Sequence, residues 1–132
     1  MSKHQCVGAL IVQRENILLG LRSPTRAFYP NVWDIFGGHV EDCEQPEQSL
    51  VRELQEELGI TPLQWKYIET LRLAWNGDEE IHCRIYLVFE WSGVPINLQP
   101  DEHSMIRWFS IDQAVQLSLA DPSYSGIFVR VL

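Results

Sequence analysis

The sequence predicts a mixed β-sheet flanked by helices, as an α+β fold or an α/β/α sandwich. Strand-like segments lie on both sides of one long amphipathic helix, and two further helical segments end the chain. No repeat, low-complexity tract or Pro/Gly-rich linker divides the sequence. A chain of 132 residues that is 45% hydrophobic can bury a core of its own, so we expect a single domain over residues 1–132.

Three short strands are predicted before the long helix, as apolar runs bounded by polar residues: Val7–Val12, Ile17–Leu21 and Trp33–Phe36. The polar residues 14–16 join the first two runs and indicate a hairpin. Residues 23–31 form a polar loop before the third run. Gly37 and Gly38 follow it, and such a pair predicts a sharp turn or a close approach of the backbone to another group.

The long helix is predicted over residues 46–58. Pro46 suits the first turn of a helix, and Gly59 suits the position just after its end. At the helical period, its apolar residues share one side and its glutamates another: Leu50, Val51, Leu54 and Leu58 against Glu53, Glu56 and Glu57. One face of this helix should therefore be buried, and the other should carry a cluster of carboxylates.

The rest of the chain is predicted to add strands rich in aromatic and β-branched residues: Trp65–Trp75, Ile81–Trp91 and Met105–Phe109. Ser110 or Asp112 is a suitable cap for a helix that reaches about Leu119. Pro122 suits the start of a last helix that runs to the C-terminus. These elements would complete the mixed sheet and its flanking helices.

The charge balance argues against one class of partner. Ten basic and eighteen acidic residues give a formal net charge of −8, whereas binding duplex nucleic acid requires neutralisation of phosphates by Lys and Arg. An acidic protein can bind a phosphate-bearing small molecule when divalent cations bridge its carboxylates and the substrate oxygens. No segment approaches the roughly 18 apolar residues of a membrane span, and the N-terminal residues lack the apolar core of a secretory signal. We therefore expect a cytoplasmic protein without a membrane partner, and the oligomeric state is left open.

The carboxylate face of the helix belongs to a longer motif with fixed spacing. From Gly38 the chain reads Gly, five residues, Glu44, seven residues, Arg-Glu-Leu, one residue, Glu-Glu, one residue and Gly-Ile, ending at Ile60. Glutamates on one side of a helix repel each other, and on the helix alone a solvated acidic face is the simplest interpretation. A metal site is the alternative, because Mg²⁺ prefers carboxylate oxygens and also accepts substrate phosphates.

This spacing is the complete Nudix box, residues 38–60, and the chain resembles the small MutT-like Nudix hydrolases over nearly its full length. The resemblance implies a Nudix fold, an α/β/α sandwich, and the binding of Mg²⁺, with Mn²⁺ as a substitute. It assigns the metal to one backbone carbonyl and three carboxylates: Gly38, Glu53, Glu56 and Glu57. It also implies that Arg52 orients the carboxylates, since Arg52 lies one turn from Glu56.

The reaction expected of such a site needs a base that takes a proton from the attacking water. Glu53 is our first candidate for this catalytic base. Glu102 is the second, as a base or an extra metal ligand, because some family members carry the base on a loop before the late strand. Glu102 lies six residues before Trp108, in the matching place, and a loop acid without a catalytic role is the alternative.

Two further residues are candidates for contacts with the substrate phosphates. Arg22 resembles a position where MutT-like enzymes contact phosphate, and a surface salt bridge is the alternative. His39 occupies a place where such proteins often have Lys, and it would carry the same charge only when protonated. A stacking surface for a base would have to come from aromatic residues that are more commonly core: Trp33, Trp75, Tyr86 and Tyr124.

The leading functional hypothesis is hydrolysis of a (deoxy)nucleoside triphosphate to a monophosphate and pyrophosphate. Hydrolysis of ADP-ribose or a dinucleoside polyphosphate keeps this chemistry and changes the leaving group. A non-catalytic nucleotide-binding module and an isopentenyl-diphosphate isomerase are alternatives of other classes, and the first often loses box glutamates that are all present here. Residues 121–125 lack the late Asn with which MutT reads oxidised guanine, so the substrate base is not predicted.

Overall fold

The computed structural model describes residues 4–75 and 79–132, except for the side chain of Trp75. Seven strands are present in these ranges: β1 (Gln5–Gln13), β2 (Asn16–Arg22), β3 (Trp33–Asp34), β4 (Phe36–His39), β5 (Thr61–Trp75), β6 (Glu79–Ser92) and β7 (His103–Ser110). Three helices accompany them: α1 (Pro46–Leu58), α2 (Ile111–Ala114) and α3 (Ser123–Val131). The order of strands and helices agrees with the predicted fold class.

The described strands form one mixed sheet in the order β3-β2-β1-β6-β5, with β4 added to β1 and β7 added to β2. The pair β1 and β6 is parallel, and every other described pair is antiparallel. Strands β1 and β2 pair over a short stretch, from Ile11 opposite Leu18 to Gln13 opposite Asn16. Beyond it, β1 pairs with β4 while β2 pairs with β3, so the sheet splits and a cleft opens at the split.

The predicted hairpin is present between β1 and β2. Its two turn residues, Arg14 and Glu15, both have positive φ angles, of 52° and 67°. Such a turn matches the twist of antiparallel strands but usually contains Asn or Gly. The conformation of this turn is therefore imposed by the paired strands rather than favoured by its own residues.

Helix α1 begins and ends where the sequence predicts, at Pro46 and Leu58. Gly59 closes it in the left-handed conformation, with a φ angle of 71°, which costs a glycine little. Leu50, Leu54 and Leu58 are fully buried, as their spacing predicts. Burial of each leucine stabilises the fold by roughly 1.5–3 kcal/mol relative to an exposed side chain. The apolar face thus fixes the rotation of α1 and so determines where its glutamates point.

Hydrophobic clusters lie on both faces of the sheet. On one face, the α1 leucines pack with residues of the central strands such as Val7 and Phe36. On the other, Ile127 and Phe128 of α3 pack with Leu10 and its neighbours. Helices therefore cover both faces, which confirms the predicted α/β/α sandwich. None of the described helices has the length and apolar character that crossing a membrane would require.

The predicted third strand, Trp33–Phe36, is wrong in extent, because two separate strands occupy this region. Strand β3 pairs with β2 and β4 pairs with β1, since the chain crosses the split in the sheet between them. Gly37 and Gly38 lie inside β4 instead of in a turn after a strand. The predicted close approach is present, because a Cβ on Gly37 would lie 1.9 Å from the carbonyl oxygen of Val7.

The helix predicted to reach about Leu119 is also wrong in extent, since α2 ends at Ala114. Beyond α2 the backbone bonds to β3. The N–H of Trp33 donates to the carbonyl of Ser118 at 2.8 Å, and the carbonyl of Trp33 accepts from the N–H of Ala120 at 2.8 Å. These tertiary bonds take the place of helical ones, so the chain leaves the helix and runs beside the strand.

Candidate active site

Strand β4 and helix α1 hold the predicted site residues against each other. Glu53 lies directly on the backbone of Gly38, where an added Cβ would be 2.4 Å from its carboxyl carbon. The N–H of Gly37 donates to Oε1 of Glu57 at 3.0 Å. The glycine pair thus receives two carboxylates of α1, and a side chain at Gly38 would displace that of Glu53.

Arg52 binds the outer side of this cluster with all three guanidinium nitrogens. Nε and Nη2 donate to Glu44 at 2.8 and 3.0 Å, and Nη2 also donates to the carbonyl of His39 at 3.0 Å. Nη1 donates to Glu53 at 2.8 Å and to Glu56 at 3.3 Å. The hydrogen bonds from Arg52 are the main reason that the pKa of Glu44 is low, at about 2. Arg52 therefore connects the helix carboxylates to the loop that precedes the helix.

The inner carboxylates have a different environment. Glu57 is only 7% exposed, and burial, followed by the charge of Glu53, raises its pKa to about 9. Burial also raises the pKa of Glu53, against the opposing effect of its bond to Arg52. The side chain of Glu56 is 52% exposed at the rim. Glutamates that share one helix face thus differ sharply in burial.

The loop before β7 brings a further carboxylate to this place. The ligand atoms of Glu57, Glu102 and His103 lie within 4.8 Å of one another. The loop is bound to the end of α1, where the N–H of Leu98 donates to the carbonyl of Glu57 at 3.0 Å. The side-chain amide of Asn97 donates to the carbonyl of His103 at 2.7 Å, which closes the turn that carries Glu102. Glu102 is therefore held near the inner carboxylates of α1.

This set of donors fits a hard divalent cation. The charges of Glu53 and Glu102 each raise the pKa of Glu57, which shows that like charges converge there. Oxygen ligands are those that Mg²⁺ prefers, and a cation among them would relieve the repulsion. Of the predicted metal ligands, the structure gathers Gly38, Glu53 and Glu57 at one point, with Glu56 at the rim.

A cleft of about 540 Å³ extends from the carboxylates into the split of the sheet. Its lining includes both polar and apolar side chains: Arg22, Arg26, Asp34, Glu53, Glu57, Glu102, Phe36, Leu73, Ile81 and Tyr124. A cleft of this size and mixed lining suits a small molecule with one charged and one less polar part.

Arg22 lines the cleft, and three of its five N–H groups are bonded to the protein. Nε donates to the carbonyl of Tyr29 and Nη2 to that of Phe28, both at 2.8 Å, while Nη1 donates to Asp34 at 3.1 Å. These bonds hold the loop 23–31 against β3. The predicted phosphate contact of Arg22 stays a prediction, and it would use the second N–H of Nη1 or Nη2 or replace one of these acceptors.

His39 lies at the edge of the cleft, and its backbone carbonyl accepts from Arg52. Burial, followed by the charge of His4, lowers the pKa of the His39 ring. The ring is therefore mostly neutral near pH 7. Its predicted phosphate contact stays a prediction, and at that pH it would be a hydrogen bond instead of an ion pair.

The candidate stacking residues are scattered through the structure. Tyr124 lines the cleft, although it is itself 5% exposed. Tyr86 is buried and donates to Glu47 at 2.7 Å, and Trp33 packs edge-on against Phe109. The side chain of Trp75 lies outside the described residues. Tyr124 is thus the member of this group that the structure places at the cleft.

Three residues of the cleft region were not singled out from the sequence: Arg26, Asp34 and His103. Arg26 donates to the carbonyl of Glu102 at 3.2 Å. Burial raises the pKa of Asp34 and lowers that of His103 to about 4. Their positions depend on how two loops close on the sheet, so no local pattern indicates Arg26 or Asp34. His103 could have been identified from the sequence by its position next to Glu102.

Fold and site together define a class of protein. It is an α/β/α sandwich in which a glycine pair, a loop and a helix hold a carboxylate cluster at one end of a cleft of substrate size. The cluster suits a cation, and the cleft suits a phosphorylated small molecule.

Comparisons with known proteins agree with this class. The family model described as NUDIX domain matches residues 2–130. The CTP pyrophosphohydrolase of Escherichia coli K12 is 34% identical over 114 residues, which cover 86% of this chain and 82% of that protein. The 8-oxo-dGTP diphosphatase of the same strain is 37% identical over 95 residues, 72% of this chain and 73% of that one. The crystal structure of a MutT NUDIX hydrolase from Burkholderia pseudomallei superimposes with a TM-score of 0.81 at 29% identity, covering 96% of this chain and 95% of the other.

The chain therefore belongs to the Nudix family, and it is a hydrolase of that family. The family resemblance and the fold predicted from the sequence are confirmed.

Proposed function

We propose that this Nudix hydrolase cleaves a nucleoside triphosphate to a nucleoside monophosphate and pyrophosphate, with Mg²⁺ as cofactor and Mn²⁺ as a substitute. The observation that carries the proposal is the convergence of Glu53, Glu57 and Glu102 beside Gly38 at one end of the cleft. Two relatives at 34% and 37% identity are named for pyrophosphohydrolase or diphosphatase activity on CTP and 8-oxo-dGTP. A triphosphate is therefore our preferred substrate class.

The residues proposed to hold the metal are one carbonyl and four carboxylates: Gly38, Glu53, Glu56, Glu57 and Glu102. When bound, the metal neutralises charge on the phosphate oxygens and makes a coordinated water more acidic. Arg52 keeps the Glu53 and Glu56 carboxylates in place through its Nη1 bonds of 2.8 and 3.3 Å. The N–H of Gly37 fixes Glu57 from the opposite side. The carboxylates are thus oriented by the protein before a substrate arrives.

We assign the general base to Glu53. Burial raises the pKa of its carboxyl, which makes the carboxylate a better proton acceptor near neutral pH than an exposed glutamate. Its Oε2 is held by Arg52 at 2.8 Å, and Oε1 would accept the proton of the attacking water. Glu102 is the second candidate, as base or as metal ligand, and its side chain is 46% exposed. Arg52 acts as a positioning residue for Glu53.

The proposal also includes the partner and the compartment. The net charge of −8 disfavours duplex nucleic acid, and it leaves a small nucleotide bound with a cation as the partner that fits best. We place the protein in the cytoplasm, acting as a single domain without a membrane partner.

Turnover of a substrate panel in Mg²⁺, Mn²⁺ or EDTA tests this function, with products separated by chromatography. The panel contains ordinary and oxidised nucleoside triphosphates, ADP-ribose and a dinucleoside polyphosphate. We expect at least one nucleoside triphosphate to be cleaved only with metal, to monophosphate and pyrophosphate. Undiminished turnover in EDTA, or release of diphosphate and phosphate, would contradict the proposal.

Two other outcomes would favour the alternatives. Faster cleavage of ADP-ribose or the dinucleoside polyphosphate would keep the chemistry and change the substrate class. Lack of any turnover, together with a nucleotide-dependent rise in Tm, would favour a binding module, because a ligand that binds the folded state raises Tm without any reaction.

A further inference from the structure

The cleft contains two arginines in unlike situations. Arg22 uses Nε, Nη1 and Nη2 in hydrogen bonds of 2.8 to 3.1 Å to the protein. These bonds also hold the loop 23–31 in place, and they leave only the second N–H groups of Nη1 and Nη2 for a ligand. Arg22 is therefore better suited to fixing the loop than to binding a ligand.

Arg26 is held much more loosely at the same cleft. Its side chain is 30% exposed, and Nη1 donates to the backbone carbonyl of Glu102 at 3.2 Å. The same nitrogen lies 4.0 Å from Oε1 of the Glu102 carboxylate. That distance is longer than the 2.7–2.9 Å or so of a charge-assisted hydrogen bond, so the ion pair is only partly formed. Among the described residues, no hydrogen bond engages Nε or Nη2 of Arg26, so these nitrogens can serve a ligand.

We infer that Arg26 is the cationic contact for the phosphate chain of the substrate, a role that the sequence had suggested for Arg22. The inference rests on the proposed function, because it requires a substrate with several phosphates. Carboxylates dominate one end of the cleft, and a polyphosphate can bind there only if cations compensate its charge. Arg26 brings a fixed positive charge to the side of the cleft where Glu102 lies.

The field of Arg26 already reaches the interior of the cleft. Burial raises the pKa of Asp34, and this rise is opposed by the charge of Arg22, by hydrogen bonds from Ile35 and Arg22, and last by the charge of Arg26. A phosphate in the cleft would experience the same positive charge. Because guanidinium groups bind phosphate through two parallel N–H bonds, Arg26 suits such a contact better than a lysine would.

The location of Arg26 also links substrate binding to Glu102. The N–H of Ser23 donates to the carbonyl of Glu102 at 2.9 Å, and Arg26 donates to the same oxygen. The loop 23–31 and the loop that carries Glu102 are therefore bound to each other. A phosphate held by Arg26 would lie between these loops and the carboxylates of α1.

The test is Arg26→Gln, with Arg26→Lys as the conservative variant and Arg72→Gln as a matched control on the exposed surface of β5. Steady-state kinetics with the best nucleoside triphosphate gives KM and kcat, and calorimetry with inorganic tripolyphosphate and Mg²⁺ gives affinity without turnover. We expect Arg26→Gln to raise KM and weaken tripolyphosphate binding by about 10–100-fold, the loss expected for one charge-assisted hydrogen bond. Values for kcat should stay within about threefold, Arg26→Lys should recover part of the affinity, and Arg72→Gln should match the wild type.

Two results would overturn the inference. Unchanged KM and tripolyphosphate affinity in Arg26→Gln would show that Arg26 does not bind phosphate. A fall in kcat with a shifted pH profile, at unchanged tripolyphosphate affinity, would show that Arg26 acts only through Glu102. If the wild type cleaves no nucleoside triphosphate but loses tripolyphosphate affinity on Arg26→Gln, the proposed function fails while the inference about Arg26 stands.

Discussion

Glu44 and Glu57 belong to the same motif but lie in opposite environments. The pKa of Glu44 is held at about 2, whereas the pKa of Glu57 is raised to about 9. Glu44 accepts two hydrogen bonds from the forked guanidinium of Arg52. Glu57 accepts one bond from the neutral N–H of Gly37 and is buried beside the charge of Glu53. The hydrogen bonds from Arg52 are the main cause of the low pKa of Glu44, and burial is the main cause of the high pKa of Glu57.

This difference separates a structural part of the motif from a binding part. The outer part, Glu44 with Arg52, neutralises its charge within the chain and so holds the loop onto α1. The inner part, Glu53 and Glu57 with Glu102 nearby, brings together carboxyl groups whose ionised forms are disfavoured by burial and mutual repulsion, and an external cation can stabilise those ionised forms. A glutamate side chain therefore stabilises the loop at Glu44, whereas at Glu53 and Glu57 it is a candidate metal ligand.

The largest expected effect comes from removing the proposed base. Glu53→Gln keeps the size of the side chain and removes its charge, so kcat should fall by about 10²–10⁴-fold, the usual contribution of a general base. Glu44→Gln should reduce kcat much less, because Glu44 acts only through Arg52. Both are measured by nucleoside triphosphate turnover in saturating Mg²⁺. Near wild-type turnover of Glu53→Gln would transfer the base role to Glu102.

A substitution at the glycine under Glu53 should have the next largest effect. A Cβ at Gly38 would lie 2.4 Å from the carboxyl carbon of Glu53, so Gly38→Ala must displace that carboxylate. We expect kcat/KM to fall by about 10²-fold, as for a displacement of about 1 Å at a reacting group. Gly126→Ala is the matched control, because no atom lies within 4 Å of an added Cβ there. Equal activity of the two variants would show that the position of Glu53 is unimportant.

The raised pKa of Glu57 predicts how stability depends on pH without metal. Between the ordinary glutamate value of 4.5 and about 9, the folded state binds more protons than the unfolded state. The free energy of unfolding in EDTA should therefore fall as pH rises through this window, by at most about 1.4 kcal/mol per pH unit. Urea unfolding at a series of pH values measures the slope, which should flatten in Glu57→Gln and on addition of Mg²⁺ to the wild type. A slope that is the same in Glu57→Gln would assign it to another group.

The smallest effect is expected at Glu44. Its pKa is lowered, so its stabilising contribution is fully present above about 4.5 and is lost as pH falls toward 2. Glu44→Gln should have a lower Tm than the wild type at pH 7, and the two curves should converge on acidification through this range. Thermal unfolding followed by circular dichroism measures both, with exposed Glu90→Gln on β6 as a control. A Tm difference that persists below pH 2 would show that the carboxylate charge of Glu44 is not what stabilises the fold.

The loop residues mark the limit of prediction from sequence. Arg22 was predicted as a phosphate contact from the sequence, and the structure adds that three of its N–H groups are bonded to Phe28, Tyr29 and Asp34. Arg26 belongs to no motif that the sequence analysis identified, yet it lies beside Glu102 in the cleft. The fold of the loop 23–31 against β3 determines whether Arg22 or Arg26 is hydrogen-bonded by the loop. No periodic pattern in the sequence predicts that fold.

By itself, the sequence determined the extent of α1, its buried leucine face and the spacing that places glutamates on the opposite face. It did so because helical periodicity and end signals act over a few residues. Only the tertiary structure decided that β3 and β4 are separate strands and that α2 ends at Ala114. It also decided that Arg52 neutralises Glu44 and not Glu57, and that Glu102 joins the inner carboxylates. Strand pairing and charge compensation join residues that are distant in the chain, so burial and loop closure determine them.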